Sequence, residues 1–470
     1  MTTNFKNNKS LCIFPWIENY QGSRYERKYC CISDDLKGLE KTTEEEFFNS
    51  VYMKETRLDM LAGTKRPECH ACYQNEENNI LSLREEATFE QDGSLKNNFD
   101  DLVAKTKEDG SVYNKPTYYD SRTIHCNLQC VSCGIVYSSQ HIDLFLEMFG
   151  KDTLDNARGN GGTPGNPFKV DKKHEAQTAK EMEAGLEEKR ITGFYWAGGE
   201  PFMSPVHWTV MEKILELKEK PGYKDYIDNL RIHYNTNLTR REWKRKPISQ
   251  ILNKYKHLRI EASLDGTHET LEYTRDGAIW NEIENNWREF AEAGITMEVA
   301  SVLTAPVIFD VDRYIDFFEQ WPGMRIANHL YMINQRDIGM QSTLDICFWP
   351  DHIFYPAMDK AVNAFKKSSF FNKEKTIDIL NYYYKQKEEL KDIFNDPKVL
   401  SAIKSKTVYR DEYQKTISLP DLLAITHPEA REWYLNLPYN MEDYFGYHVD
   451  LVRDNICLLY TSDAADELRS

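Results

Sequence analysis

Three cysteines, Cys126, Cys130 and Cys133, lie in one short stretch with the spacing C-x3-C-x2-C. Thiolates are soft ligands, so several of them on one loop favour zinc or an iron–sulfur cluster. Structural zinc sites usually take four ligands in two separated pairs, which this stretch does not offer. Three thiolates suit a four-iron cluster, because one iron then stays open to bind a small molecule and pass it an electron. The spacing therefore predicts an iron–sulfur cluster at these cysteines.

A loop of this kind has to be positioned by regular elements, and the surrounding pattern alternates between strands and helices. Six candidate strands cover residues 117–124, 191–197, 230–236, 257–264, 295–303 and 328–333. Helical stretches separate most of them, notably at 205–219 and 281–293. Strands that alternate with helices predict a parallel sheet, either open or partly closed into a barrel.

Polar residues and glycines follow three of these strands where each strand ends. In chain order these residues are Gly198, Gly199 and Glu200, then Asn235 and Asn237, then Ser263 and Asp265. The carboxyl ends of parallel strands are where such folds place their binding sites. Two adjacent glycines also let a ligand approach the backbone closely. These positions are therefore candidates for binding a ligand next to the cysteine loop.

The cysteine triplet and the strand-end motifs, in this order along the chain, resemble the radical SAM superfamily. The resemblance implies an α/β fold with a partial (β/α)6 TIM-like barrel as its core. It also implies a cluster that binds S-adenosylmethionine and cleaves it reductively to a 5′-deoxyadenosyl radical, which takes a hydrogen from a substrate. One position departs from the family pattern: Ser132 stands where members often carry an aromatic residue that packs near the cofactor adenine.

The resemblance also implies roles for single residues. The motif at 198–200 corresponds to the family's GGE motif, which binds the methionyl amino group of S-adenosylmethionine. Ser263 and Asp265 correspond to polar contacts with its carboxylate and ribose. Asn235 and Asn237 are candidate cofactor contacts because they end the third strand, and capping of the strand end is the alternative for each of these four residues. Arg275, in the string YTRDG, would meet the cofactor carboxylate or form a surface ion pair.

The first part of the chain carries its own pattern of short elements. Strands at 11–18 and 24–32 form a predicted hairpin, and a helix at 44–62 follows and ends at Gly63. A C-x-x-C pair lies shortly after it, at 69–72.

This arrangement resembles the auxiliary-cluster twitch domain of some radical SAM proteins, here placed before the core. The resemblance implies that Cys12, Cys31, Cys69 and Cys72 hold a second iron–sulfur cluster for electron relay or for structure. A structural zinc in the same four thiolates is the alternative. Cys30 precedes Cys31 directly, so on a strand the two point to opposite faces. Cys31 is the predicted ligand because the family pattern ends its strand there.

These patterns predict the following division of the chain: a twitch-like domain at 1–91, a linker at 92–116, a radical SAM core at 117–345, a mainly helical region at 346–456 and a tail at 457–470. The tail contains the string CLLYTSDAADE, which resembles the translation of a sequencing adapter.

The composition limits the classes of partner that the protein is expected to bind. The formal net charge is −16, which disfavours bulk binding to phosphate backbones of nucleic acids. There is no signal peptide and no apolar run of about 18 residues, so we expect a soluble cytoplasmic protein that does not bind membranes. In a reducing compartment, the cysteines are expected as metal ligands or free thiols.

The predicted function is therefore that of a radical SAM enzyme. It needs an external one-electron reductant resembling flavodoxin or ferredoxin, and its substrate is not identified by the sequence, with peptides and proteins among the classes the resemblance implies. Two alternatives stay open: a zinc-stabilised binding protein on a degenerate scaffold, and an iron–sulfur electron carrier that does not cleave S-adenosylmethionine.

Overall fold

The structure, a computed structural model, describes residues 8–23, 25–33, 42–77, 81–90, 94–96, 99–133, 138–142, 170–321, 324–330 and 343–440. The chain divides into two compact units, each described below by itself. The first unit takes Met1–His125, Lys169–Tyr234 and Lys254–Leu258, and the second takes Cys126–Phe168, Asn235–Asn253 and Arg259–Ser470.

The strands are numbered in chain order: β1 Glu18–Gln21, β2 Arg27–Lys28, β3 Tyr118–Thr123, β4 Gln129–Cys130, β5 Gly193–Gly198, β6 Arg231–Thr236, β7 Glu242–Trp243, β8 Lys246–Pro247, β9 His257–Ser263, β10 Arg275–Asp276, β11 Met297–Leu303 and β12 Ile326–Leu330.

The α-helices are numbered in the same way: α1 Phe14–Ile17, α2 Glu44–Phe48, α3 Val51–Ala62, α4 His70–Glu77, α5 Leu83–Thr88, α6 Phe99–Ala104, α7 Lys172–Glu187, α8 Pro205–Lys218, α9 Lys224–Asp228, α10 Ile248–Leu252, α11 His268–Thr274, α12 Trp280–Glu292, α13 Ala305–Phe309, α14 Val311–Phe318, α15 Asp351–Lys367, α16 Lys373–Glu389, α17 Lys391–Phe394, α18 Pro397–Asp411, α19 Leu419–Thr426 and α20 Pro428–Asn436. Short 3-10 helices cover Pro67–Cys69, Pro201–Met203 and Ile346–Phe348.

Parallel strands form the centre of the first unit. Strand β3 pairs in parallel with β1 on one side and with β5 on the other, and β5 pairs in parallel with β6. Strand β2 adds to β1 in the antiparallel direction. The first three strands predicted for the core are confirmed as β3, β5 and β6.

The predicted N-terminal hairpin differs from the structure. Helix α1 occupies half of the segment predicted as a strand at 11–18, and the antiparallel strands themselves are the shorter β1 and β2. Pro15 stands in the first turn of α1, where its fixed φ and missing N–H favour a helix start. Trp16 is fully buried, and its Nε1 donates to the Thr106 hydroxyl at 2.8 Å. A buried turn of helix and a buried apolar strand look alike in sequence, which explains the error.

The helix predicted at 44–62 is two helices, α2 and α3. Thr43 begins the first with a capping box that Glu46 completes. Ser50 begins the second, where its hydroxyl accepts a hydrogen bond from the Met53 N–H. Gly63 ends the second helix at φ +82°, as the sequence predicted.

The segment predicted as a linker, 92–116, contributes to the same core. It contains α6, whose Phe99 is fully buried and packs against Trp16 at a ring-centroid distance of 5.2 Å. Val112 belongs to the same buried cluster. The domain boundaries given from the sequence stay predictions.

The second unit contains a further set of parallel strands, in the order β9, β11, β12. Ile260 lies opposite Met297, and Val299 lies opposite Ile326. These are the last three predicted strands, of which β12 begins two residues earlier than expected, while residues 331–333 lie outside the described part. The mixed α/β fold with parallel strands, predicted from the sequence, is confirmed and is consistent with a partial TIM-like barrel.

Helices dominate the rest of the second unit, from α15 to α20, as predicted for residues 346–456 as far as they are described. Cys347 is fully buried among them, and its Sγ donates to the Tyr383 carbonyl at 3.6 Å. Residues 441–456 and the proposed artefactual tail at 457–470 lie outside the described residues. Among the described residues, no helix has the length and apolar character needed to cross a bilayer.

Gly198 ends β5 in a conformation that only glycine adopts without strain. Its φ is +99°, and a Cβ atom there would lie 2.4 Å from the Thr123 carbonyl oxygen and 2.5 Å from the Thr123 nitrogen. Gly63 has a similar φ of +82° but has no atom within 4 Å of its Cβ position. A substitution at Gly63 therefore has only the cost of the left-handed backbone, whereas a substitution at Gly198 adds the cost of a steric clash.

We expect Gly63→Ala to lower the free energy of unfolding by about 1 kcal/mol, the cost of the backbone conformation alone. Gly198→Ala is expected to lower it by about 3 kcal/mol or more, because the methyl group also overlaps the end of β3. Chemical denaturation of the metal-free chain measures both. Equal losses in the two variants would contradict the close contact between the ends of β3 and β5.

Candidate metal and cofactor site

The three core cysteines meet in one buried cluster of the second unit. Cys126 and Cys130 are buried with Leu128 and Ala278, and the half-buried Cys133 packs against them. The Cys133 N–H donates to the Cys130 carbonyl at 3.0 Å, which closes the second half of the loop into a turn. The structure therefore brings together the three thiols that the sequence singled out.

A two-residue ribbon holds the middle of this loop. Strand β4 pairs with β10 in the antiparallel direction, so that Arg275 lies opposite Cys130 and Asp276 lies opposite Gln129. The Val131 N–H also donates to the Thr274 carbonyl at 2.9 Å. The loop residue Cys130 thus has its backbone fixed by the end of α11 and by β10.

Arg275 points from this ribbon to the thiol of Cys130. Its Nη1 lies 3.7 Å from the Cys130 Sγ, and its Nη2 lies 3.0 Å from Asp265 Oδ2. The side chain of Arg275 is 13% exposed and that of Asp265 is 1% exposed, so this is a buried ion pair and not the surface ion pair considered from the sequence. Burial alone would lower the pKa of Arg275, but Asp265 and the Cys130 sulfur raise it above its usual value.

Asp265 is committed within the protein through both carboxylate oxygens. Oδ1 accepts from the Val302 N–H at 2.7 Å, and Oδ2 faces Arg275. Its carbonyl oxygen accepts from the Thr274 hydroxyl at 2.6 Å. Ser263, two residues earlier, is half-buried at the end of β9. That these two residues contact the cofactor stays a prediction.

Asn237 reaches the first cysteine of the loop. Its Nδ2 donates to Asn127 Oδ1 at 3.3 Å and lies 4.0 Å from the Cys126 Sγ. The Thr239 hydroxyl joins the same group by donating to the Asn237 Oδ1 at 2.6 Å. Asn235 is half-buried at the end of β6, and its contact with the cofactor stays a prediction.

Two polar residues near the loop were not singled out from the sequence. Asn127 sits inside the triplet itself, where a residue between two cysteines had no distinguishing signal. His141 lies 2.9 Å from the Cys130 carbonyl through its Nε2, and burial lowers the pKa of this histidine. No spacing in the sequence links His141 to the loop, so only the fold reveals the contact.

Backbone hydrogen bonds connect the motif at 198–200, in the first unit, to the residues at the end of β3. The Gly199 N–H donates to the Thr123 carbonyl at 2.6 Å, and the Glu200 N–H donates to the His125 carbonyl at 2.7 Å. Glu200 is fully buried, and its Oε1 accepts from the Phe202 N–H at 3.0 Å. Because both N–H groups are used, the motif offers oxygen acceptors rather than backbone donors to a ligand.

The pKa of Cys130 is set by its burial and by the charged and titratable groups around it. Burial raises the pKa of Cys130, Arg275 lowers it, and the neighbouring Cys133 and Cys126 raise it again. These effects follow from the packing of the three thiols into one cluster. Metal binding displaces such protons, since the ligand is the thiolate.

Several of the N-terminal cysteines line one small cavity in the first unit. Its lining consists of Cys12, Tyr29, Cys30, Ile32, Ser33, Cys69, Cys72 and Arg84. The hydroxyl of Tyr29 lies 3.1 Å from the Cys69 Sγ. Burial raises the pKa of Cys69 to about 11. Three of the four predicted auxiliary ligands thus share one cavity.

Of the two adjacent cysteines, Cys30 and not Cys31 is on the cavity wall, whereas the role of Cys31 as the fourth ligand stays a prediction. The predicted strand ends at Lys28, so strand alternation does not set the direction of either side chain. A hydrogen bond between the two thiols raises the pKa of Cys30 and lowers that of Cys31. The charges next to Cys31 are those of Asp120 and Arg122 on β3.

Both sets of thiols fit an iron–sulfur cluster by donor type and by proximity. Within the part of the chain that the structure describes, no group of three or more His, Cys, Asp or Glu side chains is arranged to hold a metal ion.

The comparisons with known proteins agree with the core assignment. Residues 121–313 match the family model described as the Radical SAM superfamily. The matched range contains the cysteine loop, the motif at 198–200, Asp265 and Arg275, whereas the N-terminal cysteines lie outside it. No curated protein matches the chain.

Several solved structures are similar over part of their length. Native anSMEcpe with bound AdoMet is 16% identical at a TM-score of 0.32, and the match covers 48% of this chain and 58% of that one. SuiB of Streptococcus suis bound to S-adenosylmethionine is 17% identical at a TM-score of 0.32, covering 50% and 45%. SuiB bound to the precursor peptide SuiA is 13% identical at a TM-score of 0.34, covering 68% and 64%.

The present chain therefore spans less than two thirds of the length of these structures. The family match indicates an enzyme, and the family implies an iron–sulfur cluster and S-adenosylmethionine as cofactors. Residues 121–313 of this chain are a radical SAM domain.

Proposed function

We propose that the chain is an enzyme that cleaves S-adenosylmethionine reductively at a four-iron cluster held by Cys126, Cys130 and Cys133. The observation that carries this proposal is the packing of the three thiols into one buried cluster inside the matched domain. When bound, the cofactors supply a 5′-deoxyadenosyl radical, which abstracts a hydrogen atom from the substrate. Three thiolates would leave one iron of such a cluster without a cysteine ligand, and S-adenosylmethionine would bind there.

The residues of the chain bind and orient the cofactor. The motif at 198–200 presents oxygen acceptors, because the N–H groups of Gly199 and Glu200 already donate hydrogen bonds to backbone carbonyls at the end of β3. Oxygen acceptors suit a methionyl ammonium group, which only donates hydrogen bonds. Asn235, Asn237 and Ser263 remain proposed contacts to the rest of the cofactor. Burial of the loop helps to keep water from the reacting atoms.

A second iron–sulfur cluster in the N-terminal cavity is part of the proposal. Cys12, Cys69 and Cys72 line this cavity, and Cys30 is the fourth thiol on its wall. We therefore favour Cys30 over Cys31 as the remaining ligand. Four thiolates leave no open iron, which suits electron relay or structure rather than substrate binding.

The partners follow from the chemistry. Reductive cleavage needs one electron from outside, which a flavodoxin-like or ferredoxin-like protein would supply. A peptide or protein is the proposed substrate class, by the resemblance to auxiliary-cluster radical SAM proteins, and it is tested separately from cofactor cleavage.

Anaerobic reconstitution of the chain is expected to give about eight irons per chain, for two four-iron clusters. With dithionite and S-adenosylmethionine, the reconstituted chain is expected to form 5′-deoxyadenosine slowly without substrate. Cys130→Ala is expected to lose about four irons and all of this product, because the loop cluster needs its three thiolates. Iron analysis and chromatography of 5′-deoxyadenosine measure the two effects.

Cys347→Ala is the matched control, since Cys347 is a buried thiol that belongs to neither cysteine set. It is expected to keep both the iron content and the product. No 5′-deoxyadenosine from wild-type chain with its full iron content would contradict the proposed cleavage and favour an electron carrier.

The adjacent cysteines give a second prediction. Cys30→Ala is expected to lose about four irons, because it removes a thiol from the cavity wall, while Cys31→Ala keeps the wild-type content. Iron, sulfide and zinc analysis of both variants measures this. The reverse pattern would restore Cys31 as the ligand, and zinc without sulfide in the wild-type N-terminal site would show a structural zinc instead of a cluster.

A further inference from the structure

The guanidinium group of Arg275 is the cation nearest to the loop thiols among the described contacts of the second unit. Its Nη1 lies 3.7 Å from the Cys130 Sγ, within the reach of a hydrogen bond to sulfur. The side chain is 13% exposed, so water screens this charge only weakly. Its Nε is buried and has no hydrogen-bond partner in the described part of the chain.

The surrounding structure fixes the two terminal nitrogens of this group. Asp265 holds Nη2 at 3.0 Å, and Asp265 is itself held by the Val302 N–H at 2.7 Å. On either side of Arg275 in the chain, Thr274 donates to the Asp265 carbonyl and Asp276 accepts from the Lys415 N–H at 2.8 Å. A side chain held this firmly has a direction set by the fold and not by a bound cofactor.

A fixed cation next to a cluster ligand acts on the charge of the cluster. Reduction adds one negative charge, and part of it resides on the ligand sulfurs. A nearby positive charge and an N–H donor stabilise the reduced state more than the oxidised state. Hydrogen bonds to the sulfurs and net charge are among the main factors that set the reduction potential of such clusters.

We propose that Arg275 is a positioning residue that raises the reduction potential of the loop cluster through its contact with Cys130, with Asp265 holding it in place. This inference rests on the proposed function, because it requires the cluster on Cys126, Cys130 and Cys133. It gives Asp265 a role within the protein in addition to the predicted contact with ribose. It also separates Arg275 from the residues that bind the cofactor carboxylate.

The test is an anaerobic redox titration of the reconstituted full-length chain, followed by electron paramagnetic resonance. The signal of the loop cluster is identified as the one that Cys130→Ala removes. Arg275→Gln is expected to make the midpoint potential more negative, so that the ratio of reduced to oxidised cluster at the wild-type midpoint falls on the order of tenfold, or about 59 mV. Arg275→Lys keeps the charge and is expected to shift the midpoint less.

Arg313→Gln is the matched control. Arg313 lies on α14 and pairs with Glu269 at 2.5 Å, with no described contact to the cysteines. Its substitution is expected to leave the midpoint of the loop cluster unchanged, whereas a shift there equal to that of Arg275→Gln would overturn the proposal.

The other possible results of the titration also test the role of Arg275. An unchanged midpoint in Arg275→Gln with full iron content overturns the proposal, and weaker binding of S-adenosylmethionine in that variant would then assign Arg275 to the cofactor. Loss of the loop cluster in both Arg275 variants also overturns it, because Arg275 would be needed for assembly. A wild-type chain without any loop-cluster signal refutes the proposed function instead, which keeps the two failures distinct.

Discussion

The pairing of Cys130 with Arg275 is the interaction on which the arrangement of the core site depends. The cysteine loop has little regular structure of its own, and the short ribbon of β4 and β10 is what fixes its middle. The far strand of that ribbon is tied to the C-terminal region, since Asp276 accepts from the Lys415 N–H and from the Thr416 hydroxyl. A region without any recognisable motif therefore supports the loop that carries the motif.

Burial gives both cysteine sets a common property. It raises the pKa of Cys12, Cys69 and Cys130, so these thiols keep their protons when no metal is present. Neutral thiols are compatible with an apolar setting, whereas bare thiolates there would be costly. Assembly of the proposed clusters would have to release these protons, so alkaline conditions would favour it.

Much of the core was predictable from the sequence, because its signals are local. The spacing of the cysteines within one loop identifies the three thiols. The hydrophobic pattern and the length of the apolar segments identify the strands that end at Gly198 and Ser263. The remainder depends on contacts between distant residues. Nothing in the strings around Arg275 and Asp265 shows that the two form a buried pair, and the choice between Cys30 and Cys31 depends on a strand that ends sooner than its residues suggest.

The pairing of β1 with β3 bears on how the protein can be dissected. Four residues of β1, Glu18 to Gln21, lie in register with Tyr118 to Ser121, and their side chains are buried. A fragment that began at the first core strand would leave the backbone of β3 unpaired along that side, and exposed strands of this kind recruit other chains into aggregates. Residues Glu18 to Gln21 therefore protect this side of β3, and a fragment that lacks them is expected to aggregate.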